Sequence, residues 1–110
     1  MKLLTQAIRS KLPPLGSTGA QSHDQLIVQA KFFTPDSSWT WYCLEFDGDD
    51  TFFGLVIGFE VEMGYFSLSE LESVRGPLGL PIERDRWFEP TPLSRLPEYP
   101  RWAGAREAAA

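Results

Sequence analysis

Residues 64–88 read GYFSLSELESVRGPLGLPIERDRWF and contain the strongest local folding signals of the chain. Ser67, followed three residues later by Glu70, has the spacing of a capping box, in which the two side chains satisfy free backbone N–H groups at a helix start. Phe66 and Leu71 flank this cap at the spacing of a hydrophobic staple. The stretch therefore predicts a strand that passes directly into a capped helix.

The same helix is expected to end at Gly76 and Pro77, because glycine accepts a left-handed cap and proline cannot continue a helix. Leu68, Leu71 and Val74 form its apolar stripe. A helix this short is marginal on its own. The stripe must therefore pack on another element, and the strands around it point to a sheet.

Upstream of the helix, four segments have the composition and alternation of strands. These segments are residues 26–34, 38–46, 51–58 and 60–66. Short links join them, including the hairpin sequence DGDD at residues 47–50, and short links favour antiparallel neighbours. Residues 3–12 predict a short helix with Thr5 as its cap. The fold class is therefore α+β: an antiparallel meander of four to five strands, with the capped helix packed on it and a short N-terminal helix.

The chain of 110 residues is long enough for one domain with its own core. We assign residues 1–96 to this domain, with residues 83–88 as a charged edge strand. Residues 97–110 are rich in proline and alanine, and we expect them to form a disordered tail.

Charge is distributed unevenly along the chain. Residues 32–74 carry nine carboxylates and neither lysine nor arginine, whereas residues 1–31 and 75–110 are mildly basic. Because non-specific nucleic-acid binding depends on clustered lysine and arginine, the central segment disfavours nucleic acid as a direct partner. An acidic surface instead favours a basic protein partner.

Several segments together resemble a known family: KFFTP, WTWY, FGLVIGFEVEMGYFSLSELE and GLPIERD. They resemble a small bacterial family of unknown function whose members occur on plasmids, phages and other mobile elements, often near antirestriction genes. The resemblance covers roughly residues 1–96. Its most specific parts are residues 64–72 and 79–85. It implies no activity, no cofactor and no catalytic residue.

The residues that usually carry catalysis are scarce. His23 is the only histidine and Cys43 the only cysteine, so the chain cannot fill a zinc site of nitrogen and sulfur ligands. Four carboxylates lie near the DGDD hairpin and are weak candidates for binding magnesium or calcium, but the pattern favours a solvated turn over a metal site. These four are Glu45, Asp47, Asp49 and Asp50. We expect no cofactor.

The candidate partner-binding residues are aromatic or charged. Trp41 and Tyr42 are adjacent on a predicted strand, so either a second layer covers the far face of the sheet or an aromatic side chain is exposed. Exposed tryptophan is typical of binding hot spots. The predicted set consists of Trp39, Trp41, Glu60, Glu62, Arg84 and Arg86.

These observations lead to a hypothesis of a non-catalytic, acidic protein-interaction module. It would act against host defence (antirestriction or anti-CRISPR type) or as an accessory inhibitor, by binding a host or element-encoded protein that itself binds nucleic acid. The alternatives are a nucleic-acid accessory protein and a small metal-dependent enzyme built on carboxylates. The single Cys43, placed in an apolar strand, fits a reducing cytoplasm, and no run of residues is apolar enough for a membrane span. The sequence leaves the oligomeric state open.

Overall fold

The computed structural model describes the backbone of residues 2–109 and the side chains of residues 2–104. The helices are α1 (Gln6–Arg9), α2 (Leu68–Ser73) and α3 (Tyr99–Ala109), with a 3-10 turn at Leu93–Arg95. The strands are β1 (Ile27–Val28), β2 (Ala30–Phe33), β3 (Thr40–Phe46), β4 (Thr51–Ile57), β5 (Val61–Ser67), β6 (Glu83–Arg84) and β7 (Thr91–Pro92).

The main sheet has five antiparallel strands in the order β5-β4-β3-β2-β6. Strands β2 to β5 form the predicted meander, and β6 returns to the free edge of β2. Strands β1 and β7 form a separate two-stranded sheet. The predicted α+β class and antiparallel sheet are confirmed, although residues 26–34 divide into two strands and the charged segment 83–88 contributes only two residues.

The sheet is covered on both faces. Trp41 and Tyr42, which point to opposite faces, are both buried, with 8% and 2% of their surface exposed. Of the two alternatives that the sequence offered, a second layer on the far face of the sheet is therefore the one found, and neither Trp41 nor Tyr42 is exposed. We call the side that contains Phe32, Trp41 and Phe52 face 1, and the side that contains Tyr42 and Leu55 face 2.

Face 1 is closed by the N-terminal segment and by α2. Ser67 caps α2 as predicted, accepting a hydrogen bond from the Glu70 N–H at 3.3 Å, and Leu71 is buried. Two details of the prediction are wrong. The helix ends at Ser73 with Val74 in an extended conformation, so Val74 is 40% exposed and does not extend the apolar stripe.

The glycine expected to end α2 also behaves differently. Gly76 does not adopt positive φ; Gly79 does, at +81°. Gly79 is the last residue of a turn, which is closed by the hydrogen bond from the Gly79 N–H to the Gly76 carbonyl at 2.9 Å. The Gly76 N–H in turn donates to the Leu80 carbonyl at 2.9 Å. Residues 75–81 are therefore a tight hairpin that lies beyond the end of the helix.

Face 2 is closed by the 3-10 turn, which lies within the predicted domain, and by α3, which lies in the segment 97–110 that the sequence predicts as a disordered tail. In the structure, Trp102 is 6% exposed and joins the face 2 core with Leu93 and Leu96. The Tyr42 hydroxyl donates to the Glu98 carboxylate at 2.8 Å. Burial of the Trp102 ring and the hydrogen bond from Tyr42 to Glu98 both stabilise the packing of this C-terminal segment on the sheet. The amino-acid composition of the segment does not predict either contact.

Candidate functional site

An aromatic cluster lies at the end of face 1 where β3 begins and β4 ends. Trp39 stacks on Trp41, with ring centroids 5.8 Å apart, and the Phe59 ring meets Trp39 edge-on at 5.4 Å. Phe59 is 93% exposed, whereas Trp41 is part of the core. The cluster thus continues from the interior of the protein to solvent.

Local backbone geometry fixes Trp39 in this cluster. Its N–H donates to the Thr34 hydroxyl at 3.0 Å, and its carbonyl accepts from the Thr34 N–H at 3.0 Å. The indole ring lies directly against Gly58, where a Cβ would overlap it. Trp39 is therefore held on both sides, and its position does not depend on a partner.

A second wall faces this cluster and is formed by the 75–81 hairpin. The Asp36 carboxylate accepts from the backbone N–H groups of Leu78 at 2.8 Å and of Leu80 at 3.3 Å. It packs so closely on Gly76 that a Cβ there would overlap it. This contact ties the hairpin to the β2–β3 turn and leaves Leu78 at its tip 79% exposed.

Between the two walls is a groove of about 340 Å³, which we call the aromatic groove. Its lining residues are Thr34, Ser37, Trp39, Trp41, Val74, Arg75, Gly76 and Pro77. With Phe59 and Leu78 exposed beside it, the groove belongs to a larger apolar surface. Exposed apolar patches on small proteins are typical of protein-binding sites.

The structure places the predicted carboxylates Glu60 and Glu62 beside this surface. Both are exposed. Glu62 lies on β5 in a cross-strand row with Val56 and Trp41 on face 1. Glu60 lies in the β4–β5 turn rather than on the strand, where its carbonyl accepts from the Gly58 N–H at 2.9 Å. The two carboxylates form an acidic rim next to Phe59.

The two predicted arginines lie at the opposite edge of the sheet. Arg84 is on β6, and its guanidinium donates to the carbonyls of Lys2 and Leu3, so it holds the N-terminal segment on face 1. Arg86 is exposed and lines a shallow pocket of about 410 Å³ that also contains the Lys31–Asp85 ion pair, at 3.8 Å. The predicted binding residues therefore divide into two separate regions.

The carboxylates proposed as weak metal ligands are engaged by the protein itself. Glu45 is buried, with 4% of its surface exposed, and accepts from the Gly16 N–H at 2.7 Å and from the Thr18 N–H and hydroxyl. The Asp47 carboxylate accepts hydrogen bonds from the backbone N–H groups of residues 49, 50 and 51. These bonds lower the pKa of Asp47, and the bond from Asp49 has the largest effect.

Asp50 completes the cap of α2. It accepts the Ser67 hydroxyl at 2.5 Å and the Ser69 N–H at 2.8 Å, and these bonds lower its pKa. Within the part of the chain that the structure describes, no three histidine, cysteine, aspartate or glutamate side chains group as metal ligands.

His23 and Cys43 lie in different environments. His23 bonds the Tyr99 hydroxyl through Nδ1 at 2.8 Å and contacts the Trp102 ring. Cys43 is fully buried in the centre of the sheet, and burial raises the pKa of its thiol well above the usual value. A cysteine in such a position is a poor nucleophile, because the thiolate is the reactive form.

Sequence reasoning missed Phe59 and the 75–81 hairpin as parts of the surface. The available signal was the sequence Gly58-Phe59-Glu60, since a bulky apolar residue between turn residues has no strand face to bury it. The hairpin gave no such signal, because its position depends on Asp36, about forty residues away in the sequence.

A family model described as a protein of unknown function (DUF2958) matches residues 3–109. The chain belongs to this DUF2958 family. The match extends through α3, beyond the boundary near residue 96 that the resemblance suggested. No curated protein and no solved structure is significantly similar to the chain. None of the helices among residues 2–109 has the length and apolar character needed to cross a bilayer.

Proposed function

We propose that this protein is a non-catalytic interaction module that binds a basic protein through the aromatic groove and its acidic rim. The observation that carries the proposal is the position of Phe59, 93% exposed on a rigid aromatic cluster and followed in the chain by Glu60. Rigid aromatic anchors surrounded by polar residues contribute most of the binding energy in many interfaces.

Charge defines the kind of partner. The segment of residues 32–74 has nine carboxylates and no cationic side chain. Two of these carboxylates, Glu60 and Glu62, form the rim, and the cation in the groove lining is Arg75 from the 75–81 hairpin. The negative field of such a segment accelerates association with basic proteins and repels nucleic acid. Proteins that bind nucleic acid are the abundant basic proteins of a bacterial cytoplasm. We therefore propose an anti-defence or accessory inhibitor carried by mobile elements, which occupies a phosphate-binding surface of a restriction, CRISPR or related host protein.

The test compares three tagged proteins in the native host: wild type, Phe59→Ser and Trp87→Ser. Trp87 is a matched control, because it is 86% exposed but lies beyond β6 at the other edge of the sheet. We expect one or more basic proteins to co-purify with wild type and Trp87→Ser, identified by mass spectrometry, and to be lost from Phe59→Ser. Equal recovery with all three proteins would contradict the role of the groove.

The purified pair then tests the role of charge. Replacing Glu60 and Glu62 by lysine is expected to slow association with the identified partner while the melting temperature stays near that of wild type, since both side chains are exposed. Sub-micromolar binding of DNA or RNA by the isolated protein at about 0.15 M salt would instead support the nucleic-acid accessory alternative.

A further inference from the structure

The two edges of the main sheet differ in how they are protected. At one edge, β6 has two residues and is preceded by Pro81. At the other edge, β5 has seven residues and pairs with β4 in unbroken register from Thr51–Ser67 to Ile57–Val61. Strand β5 contains neither proline nor lysine, and no bulge interrupts it. Soluble proteins normally carry such features on an open edge, because unpaired backbone groups recruit other strands.

Two turn hydrogen bonds show which backbone groups of β5 are free to pair. The Gly58 N–H bonds the Glu60 carbonyl at 2.9 Å, and the Leu68 N–H bonds the Asp50 carbonyl at 2.8 Å. Because bonded and non-bonded pairs alternate along an antiparallel ladder, the even-numbered residues of β5 bond β4. The N–H and C=O groups of Met63 and Tyr65 therefore point away from the sheet.

We propose that this edge binds an extended, basic segment of the partner as a sixth strand. The inference rests on the proposed function and specifies how the partner engages the protein. Exposed carboxylates lie at both ends of β5: Glu60 and Glu62 at its start, and Glu70 just past its end. A second copy of the chain would bring the same carboxylates together, so the charge favours a basic strand over self-pairing.

The side chains of β5 define the pattern of this strand. Glu62 projects on face 1, whereas Met63 and Tyr65 belong to face 2, where Tyr65 is 69% exposed beside Phe53. Residues directly opposite in a sheet contact each other. The incoming segment therefore carries basic residues on one side and apolar residues on the other, which is strict alternation of the two types.

The test uses a labelled nine-residue peptide of alternating lysine and valine as the probe, with an alternating glutamate and valine peptide as its control. Tyr65→Pro removes one outward N–H without removing a bond to β4, and Tyr65→Thr controls for the lost ring. We expect the lysine peptide to bind wild type and Tyr65→Thr, and Tyr65→Pro to bind it about tenfold more weakly or worse, the loss expected of one to two hydrogen bonds. The glutamate peptide should not bind.

Amide hydrogen exchange gives an independent readout. In the free protein the Met63 and Tyr65 amides should exchange much faster than that of Gly64, and the lysine peptide should slow them selectively. Equal affinity of Tyr65→Pro and Tyr65→Thr, or no binding of the lysine peptide to wild type, would overturn the proposal.

Two results separate this inference from the proposed function. Loss of the host partner from Phe59→Ser but not from Tyr65→Pro would overturn the added strand and retain the groove. A wild-type dimer in sedimentation that Tyr65→Pro dissociates would overturn the basic partner strand in favour of pairing between two copies.

Discussion

Both faces of the sheet bury a hydrophobic cluster, but they are closed by different kinds of segment. Face 1 is covered by α2 and by the N-terminal segment, and the cap, staple and stripe of α2 are all contiguous in the sequence. Face 2 is covered by the 3-10 turn and α3, which carry no such local pattern and are held by a few specific contacts. A layer can therefore close one face of a core without being recognisable in the sequence.

The strongest test of this comparison is Trp102→Ala. Removing this buried ring should destabilise the protein by about 3–5 kcal/mol, as for other large core aromatics. Chemical denaturation would measure the loss, with Trp87→Ala as the exposed control expected to change stability by less than about 0.5 kcal/mol. An unchanged denaturation midpoint in Trp102→Ala would mean that α3 is not part of the cooperative unit.

On face 1 the equivalent substitution is Leu71→Ala. Leu71 is 4% exposed, and its truncation should cost about 2–5 kcal/mol. Leu78→Ala, at the exposed tip of the 75–81 hairpin, provides the matched control with little expected change. If Leu71→Ala melted like wild type, the docking of α2 on the sheet would be refuted.

Tyr42→Phe tests the polar contact that holds the C-terminal segment on face 2. The hydroxyl donates to Glu98, and a bond to a charged group typically contributes about 1.5–3 kcal/mol. Burial, followed by the nearby Glu98 carboxylate, raises the pKa of Tyr42. The folded state therefore favours the neutral phenol. The stability that Tyr42 contributes is fully present below the pKa of tyrosine in the unfolded chain, about 10, and is lost as the pH rises through the raised pKa of the folded state.

The same pH dependence supplies the control. Thermal melts from neutral to strongly alkaline pH should show a smaller alkaline decline in Tyr42→Phe than in wild type, whereas Tyr65→Phe at an exposed site should follow wild type. Identical alkaline declines in all three proteins would argue against a perturbed Tyr42.

The smallest expected effect is at the cap of α2. Ser67→Ala should destabilise by on the order of 1 kcal/mol, the usual value for an N-cap, and Ser67→Thr should retain most of the stability because it keeps the hydroxyl. Since the Ser67 hydroxyl also helps to lower the pKa of Asp50, wild type should lose stability as the pH falls through that lowered pKa. Melting temperatures measured across acidic pH should show a smaller decline for Ser67→Ala; parallel declines would contradict this role of the hydroxyl.

Prediction from the sequence succeeded where the signals were local. The meander, the Ser67 cap and the burial of Leu71 all follow from spacing and turn chemistry within a few residues. It failed at Gly76, whose lack of a side chain is required by contact with Asp36 and not by the helix end. It also failed for α3, since the burial of Trp102 depends on strands far away in the sequence.

The candidate site was predicted only in part for the same reason. Trp39 and Trp41 line the aromatic groove and Glu62 lies on the rim beside it, but the sequence did not predict the groove itself, and binding at these residues stays a prediction. Arg84 was selected for its charge, but it bonds backbone carbonyls of the N-terminal segment. Contacts of this kind join residues that are distant in sequence, and one sequence read by itself does not contain them.

The position of Cys43 allows thiol labelling to measure local opening of the folded protein. Cys43 is the single cysteine, and its side chain is fully buried in the face 1 cluster. It can react with a thiol reagent only after the layer over face 1 is displaced or the protein unfolds. The rate of labelling under native conditions therefore measures how often face 1 of the sheet is uncovered. Without any engineered probe, one mass shift would follow this rare event, and partner binding at the groove or at the β5 edge should slow it.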